Sequence, residues 1–148
     1  MRKMILSLCC ALMAATGLFA QNDKADNIIG TYSAVNGGDA YKVRVTKSAD
    51  GTYMAQIFWV KDKYDKNGNV WLDDKNPDKS LRKTPCDRIV LFRGLKYDAS
   101  RQRWGDTKVY DPKRGIKANM TATFDGPKVL KVRGSLFGIS ETEIWNRE

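Results

Sequence analysis

Histidine is absent from all 148 residues of this chain, and that absence narrows every chemical option it has. A Ser-His-Asp triad, a histidine acid or base and an imidazole-ligated metal are excluded, which leaves Asp, Glu, Lys, Tyr and Cys to move protons or attack. Two acids stand out by their settings: Asp78 within Asn76-Pro77-Asp78, and Asp111 within Tyr110-Asp111-Pro112. With Arg82 adjusting their pKa values, they would supply the two carboxylates that glycoside hydrolysis places on opposite sides of a bond. Nothing in their spacing brings them together, so no catalytic residue is assigned. Asp65, Asn67 and Asn69 surround Gly68, with Asp73 and Asp74 beyond, and offer hard oxygen ligands of the kind Ca²⁺ takes. In an EF-hand loop the glycine comes sixth and a glutamate closes the loop, whereas Gly68 is fourth counting from Asp65 and no glutamate follows. A plain Asn-Gly turn is therefore expected, with no metal and no cofactor. Cys86 lacks a histidine to activate it and precedes the apolar run Ile89 to Phe92, as a buried small thiol would.

The chain begins MRKMILSLCCALMAATGLFA, with Arg2 and Lys3, an apolar run from Met4 to Phe19, and small Ala20 before polar Gln21. This is the pattern of a secretory signal peptide over residues 1–20, cleaved after Ala20, with an apolar run too short for a membrane anchor. Leu8 is bulky where lipoprotein processing at Cys9 takes a small residue. The mature chain is expected to be exported, periplasmic or secreted, monomeric and not membrane-spanning. Residues 21–27 are expected to form a flexible polar lead-in and residues 28–148 a single domain. Loss of Cys9 and Cys10 leaves Cys86 alone, so the core must stabilise the fold without an internal disulfide. Lys and Arg number 26 against 17 acids, for a net charge of +9, and only Arg2 and Lys3 leave with the leader. The excess favours anionic surfaces, yet the basic residues are dispersed among aspartates as on an ordinary solvated surface. Nucleic acid is not an expected partner of an exported protein.

The elements that must position these groups read as strands. Tyr41, Val43 and Val45 alternate with Lys42, Arg44 and Thr46, and Ile116, Ala118, Met120, Ala122 and Phe124 alternate with polar residues, the period-two pattern of half-buried strands. Gly37-Gly38, Asp50-Gly51 and Asp125-Gly126 mark turns. Thr52 to Val60 is apolar on both faces, with Tyr53, Ala55, Ile57 and Trp59 on one and Met54, Phe58 and Val60 on the other. Such a strand is central or lines an interior cavity. Further strands are expected at Ile29–Tyr32, Ile89–Leu95, Gln102–Tyr110, Val129–Leu136 and Ser140–Trp145. No helical periodicity survives beyond the leader. About eight short antiparallel strands argue for an all-β closed barrel or a sandwich, and eight leave room inside for packed side chains or one small ligand. The long irregular stretch 73–85, DDKNPDKSLRKTP, follows the third strand and reads as a lid: Pro77 restricts the backbone and Asp78 caps a turn over Lys79 to Arg82.

Asn76-Pro77-Asp78, Leu81-Arg82, Pro85, Trp104, Tyr110-Asp111-Pro112, Gly115, Arg133-Gly134, Trp145 and Arg147, in that order, resemble the exported bacterial family catalogued as domain of unknown function 2147. Tyr32 stands where that family's opening Gly-x-Trp has tryptophan, and Thr84 where an arginine usually precedes the proline. The resemblance implies a calycin-like β-barrel, similar in shape to lipocalins, in a family without an established activity. The residues' own chemistry assigns structural work to Tyr32, Pro77, Pro112, Gly115, Trp145 and Arg147. If the first and last strands pair, the Arg147 guanidinium covers an aromatic ring at the barrel base.

The function these features favour is non-enzymatic: an exported barrel holding a small apolar or amphipathic molecule, with the 76–85 segment across its mouth. The candidate ligand-binding residues are Trp59, Trp71, Asn76, Asp78, Arg82, Trp104, Tyr110 and Asp111, and Arg82 or Lys83 would meet an acidic headgroup. The alternative is an envelope structural or interaction protein with a packed barrel, whose basic exterior meets an anionic polymer or a protein. A cavity above about 300 Å³ separates the two.

Overall fold

The computed structural model describes residues 20–148, so the signal-peptide segment lies outside the described residues apart from Ala20. Eight antiparallel strands follow one another around a closed barrel, each bonded to its sequence neighbour: β1 Gly30–Asn36, β2 Asp39–Lys47, β3 Tyr53–Val60, β4 Val90–Asp98, β5 Arg103–Asp111, β6 Ile116–Phe124, β7 Val129–Leu136 and β8 Ile139–Arg147. The ring closes where Tyr32 and Ser33 of β1 pair with Arg147 and Asn146 of β8. Closure leaves no long free edge to recruit a foreign strand. Among the described residues, no helix is long and apolar enough to cross a membrane.

Turn chemistry sets the register. Gly37 and Gly38 both take positive φ, 56° and 89°, so β1 and β2 join through a two-residue hairpin in which Asn36 faces Asp39. In the β2–β3 turn the Asp50 carboxylate accepts from the Thr52 amide at 3.0 Å and hydroxyl at 2.7 Å. Register shifts interrupt the β2–β3, β3–β4 and β5–β6 pairings, and the first of them moves a candidate residue. Lys42 faces Trp59 but its neighbour Val43 faces Ile57, so Phe58 is an extra residue in β3. Such a bulge inverts the faces beyond it. Trp59, expected beside Ile57, therefore points outward with the Lys42 ammonium 5.6 Å from its ring, while Val60 takes the inner face.

One end of the barrel is filled. Tyr32, Trp104, Phe124 and Trp145 pack there, with ring centroids 5.9 Å apart for Tyr32–Trp145 and 5.7 Å for Trp104–Phe124. Each such pair contributes about 0.5–1.5 kcal/mol beyond its buried area. The Arg147 guanidinium lies 5.4 Å from the Tyr32 ring and 4.9 Å from that of Phe124, and donates to the Tyr32 hydroxyl at 2.9 Å. The segment expected as a flexible lead-in forms two 3-10 turns, Ala20–Asn22 and Ala25–Ile28, across this same end. Its polar composition is explained by the donors and acceptors it meets. The Asn22 side chain donates to the Phe124 carbonyl and accepts from its amide, while the Tyr97 hydroxyl donates to the Asn22 carbonyl and the Trp104 indole to that of Ala25. Ile28 is fully buried beneath.

Candidate functional site

The opposite end of the barrel is open. Its wall encloses a cavity of about 1190 Å³, lined by Tyr41, Ile57, Leu91, Val109, Val132 and Trp145 among others. Small residues on the wall create the space: Ala118 of β6 and Gly134 of β7 both face it. Large apolar side chains crowd the rim, where Phe137 is 95% and Trp71 55% exposed, with Val35 and Ile139 beside them.

Residues 61–89 connect β3 to β4 beside this mouth, in an ordered path. Its first half is a small hairpin, Tyr64 bridging Val70. The Asp65 carboxylate accepts the Asn67 and Asn69 amides at 2.8 and 2.9 Å, so this acid closes an Asn-Gly turn. Leu72 then bridges Pro85, pinching off the 73–84 loop. Within it Asp73 is the anchor, buried and bonded on both oxygens: Oδ1 accepts from the Tyr110 hydroxyl at 2.6 Å and Oδ2 from the Asn76 amide group at 2.7 Å. Burial and this carboxylate together push the Tyr110 hydroxyl well above its usual pKa.

The candidate residues divide on this geometry. Trp71, Tyr110 and Asp111 line the cavity, whereas Asn76, Asp78 and Arg82 do not. Those three build the loop instead. Asn76 Oδ1 accepts from the Asp78 amide, Asp78 accepts from the Ser80 amide and hydroxyl to cap the 3-10 turn Lys79–Leu81, and Arg82 Nε donates to the Asn76 carbonyl at 2.8 Å. Asp111 accepts the Lys113 amide within the β5–β6 turn and pairs with Arg114 at 2.8 Å, so it and Asp78 serve two separate turns. Trp104 packs in the filled end and Trp59 outside the barrel. Of the residues assigned structural work, Tyr32 and Arg147 lie at the filled end, Pro77 sits on the exposed loop, Pro112 borders the cavity, and Gly115 passes beneath Lys75. Trp145 does double duty, packing on Tyr32 and flooring the cavity. Cys86 also lines the cavity, half-buried, and burial raises its thiol pKa, which keeps it in the unreactive protonated form.

The group missed from the sequence is Glu143. It lies on the inward face of β8 between Glu141 at the rim and Trp145 at the floor, and its Oε1 accepts from both the Tyr41 hydroxyl and, at 3.0 Å, the Trp145 indole. Burial raises its pKa, and the indole hydrogen bond only partly opposes that shift. A signal was present: Glu141, Glu143, Trp145 and Arg147 share one parity, so an inward Trp145 carries Glu143 inward with it.

Two comparisons with known proteins bear on this barrel. Residues 30–147 match the model of a family described as an uncharacterized protein conserved in bacteria, DUF2147. The structure is also similar to that of protein HP1028 from Helicobacter pylori, described as belonging to the lipocalin family, with a TM-score of 0.63 and 19% sequence identity over 81% of this chain and 82% of that one. A comparison with curated proteins finds no match.

Proposed function

The chain belongs to the DUF2147 family, and from its lipocalin-like barrel we propose that it is an exported, non-enzymatic binding protein that holds a small apolar or amphipathic molecule in the open half of the barrel. The observation that carries this reading is the cavity itself. About 1190 Å³ of unfilled, mostly apolar space opens at one end of a barrel whose other end is packed. Ligand pockets span roughly 300–1,000 Å³, so this one lies somewhat above the usual range. Each methylene transferred from water onto such a wall contributes about 0.8 kcal/mol before the cost of ordering the ligand. A chain of about ten carbons therefore supplies about 8 kcal/mol against that cost. Export rests on the leader pattern around Arg2, Lys3 and the Met4 to Phe19 run.

Native mass spectrometry of the protein purified from its own host without detergent tests the proposal. An added mass that disappears on denaturation is the expected result. Bare protein that also fails to take up an added aliphatic alcohol would overturn it. Retention on envelope polymer that falls steeply with salt would then favour the basic-surface alternative, because exposed charge contacts are screened.

A further inference from the structure

The cavity carries a charge opposite to that of the protein around it. In a chain of net charge +9, six acids line the space, Asp39, Asp62, Asp73, Asp111, Glu141 and Glu143, against two bases, Lys113 and Arg114. Both bases are occupied at the rim. Lys113 pairs with Asp39 at 2.6 Å, and Arg114 bridges Asp111 and Glu141. Arg82, the cation expected to meet an acidic headgroup, donates Nε to the Asn76 carbonyl and lies outside the cavity lining. An anionic head would thus find no unpaired cation on the wall. Glu143 differs from the other acids in its surroundings. It is set among apolar side chains, both of its hydrogen bonds land on Oε1, and among the described residues Oε2 accepts none.

We propose that the barrel selects an amphipath with a protonated amine head, which donates to Glu143 Oε2 while its apolar part lies along Ile57, Leu91, Val109 and Val132. This rests on the cavity-binding reading and specifies its ligand class. A half-buried carboxylate without a cation is penalised, and an incoming ammonium supplies the missing charge and donor together. The hydroxyl of Tyr41 and the indole of Trp145 hold the carboxylate in place, so it needs no rearrangement to accept.

The pH dependence follows from the groups that face Glu143. From β2 it meets Tyr41, from β8 Glu141 and Trp145, and opposite it on β7 lies uncharged Val132. Tyr110 and Asp111 of β5, Asp39, the 61–89 residues Asp62, Asp73 and Cys86, and the turn residues Lys113 and Arg114 complete the lining. Arg114 holds Glu141 below its usual pKa, whereas burial holds Glu143 above it. An alkylamine stays protonated below about pH 10, so its binding weakens on acidification as Glu143 takes up a proton.

The test compares decylammonium, decanol and decanoate below their micellar concentrations, by calorimetry, on the purified protein and its Glu143→Gln variant. At about pH 8 the amine is expected to bind at least about tenfold more tightly than the carboxylate, and its preference over decanol, which does not titrate, is expected to shrink by about pH 4.5. Glu143→Gln is expected to remove the preference, bringing the amine to about the affinity of decanol in the same variant. Decanoate binding as tightly as the amine, or a preference that survives in the variant, overturns the inference. Should the variant fail to fold, the parent protein decides alone: an amine preference over decanoate that is absent at about pH 8, or one over decanol that is unchanged on acidification, overturns it. Failure of all three probes would instead sink the cavity-binding reading itself.

Discussion

A carboxyl in an apolar chamber lowers the stability of its barrel whenever it is ionised. Glu143 is in that position, and the sign of its effect follows from its raised pKa. The folded protein keeps the proton to higher pH than the unfolded chain does. The neutral group's contribution is complete below the unfolded carboxyl value of about 4.3 and is lost as pH rises through the folded value. Glutamine keeps an acceptor for Tyr41 and Trp145 but cannot ionise. Urea denaturation should therefore find Glu143→Gln more stable than the parent at about pH 8, with the gap closing at about pH 4. A gap of the same size at both would show that ionisation has no part in it. A group that costs stability is what a binding site keeps and a scaffold discards. Its inward parity with Trp145 could be read from the strand pattern, but its partner Tyr41 is about a hundred residues away along the chain, and no local spacing records that.

At the scale of elements, alternation and turn residues locate every strand, because a half-buried strand and a Gly-bearing turn are local events. Where a local rule failed, a non-local contact had overridden it. The Phe58 bulge is invisible in TYMAQIFWV, since it arises from the register of β3 against β2, and it sent Trp59 outward. In the NPD stretch the Asp78 cap was legible, but the buried anchor of the loop was not. The Asn76 side chain turns inward on Asp73, and only the fold brings Tyr110 to that carboxylate. The same loop lies against the β5–β6 turn: Lys75 donates to the Lys113 carbonyl at 2.8 Å, and a Cβ on Gly115 would stand 2.3 Å from the Lys75 carbonyl oxygen. Gly115 also has a φ of 67°. Gly115→Ala should then cost more than the roughly 1–3 kcal/mol of backbone strain alone. Gly68→Ala, with a φ of 81° and open space around it, isolates that strain. Equal losses for the two variants in urea denaturation would show that the Lys75 contact adds nothing.

For the whole molecule, the two ends of the barrel divide the work. The filled end supplies the cohesion that a chain with one cysteine in its described residues cannot draw from an internal disulfide. Ile28→Ala should cost about 2–5 kcal/mol, read by the same denaturation, because Ile28 is fully buried under the barrel. The variant should still take up decanol wherever it remains folded, since Ile28 does not border the cavity. Loss of uptake by a folded variant would show that the two ends are coupled.

The residues ahead of β1 that seal the filled end also fix the direction of traffic. With Asn22 and Ala25 bonded across the base and Arg147 stretched over its rings, the barrel is a cup and not a pipe. Nothing can be pushed out from behind by the next arrival. Whatever enters past Phe137 and Trp71 must leave by the same doorway, so a molecule bound as proposed would be unloaded at the lip, past those exposed side chains.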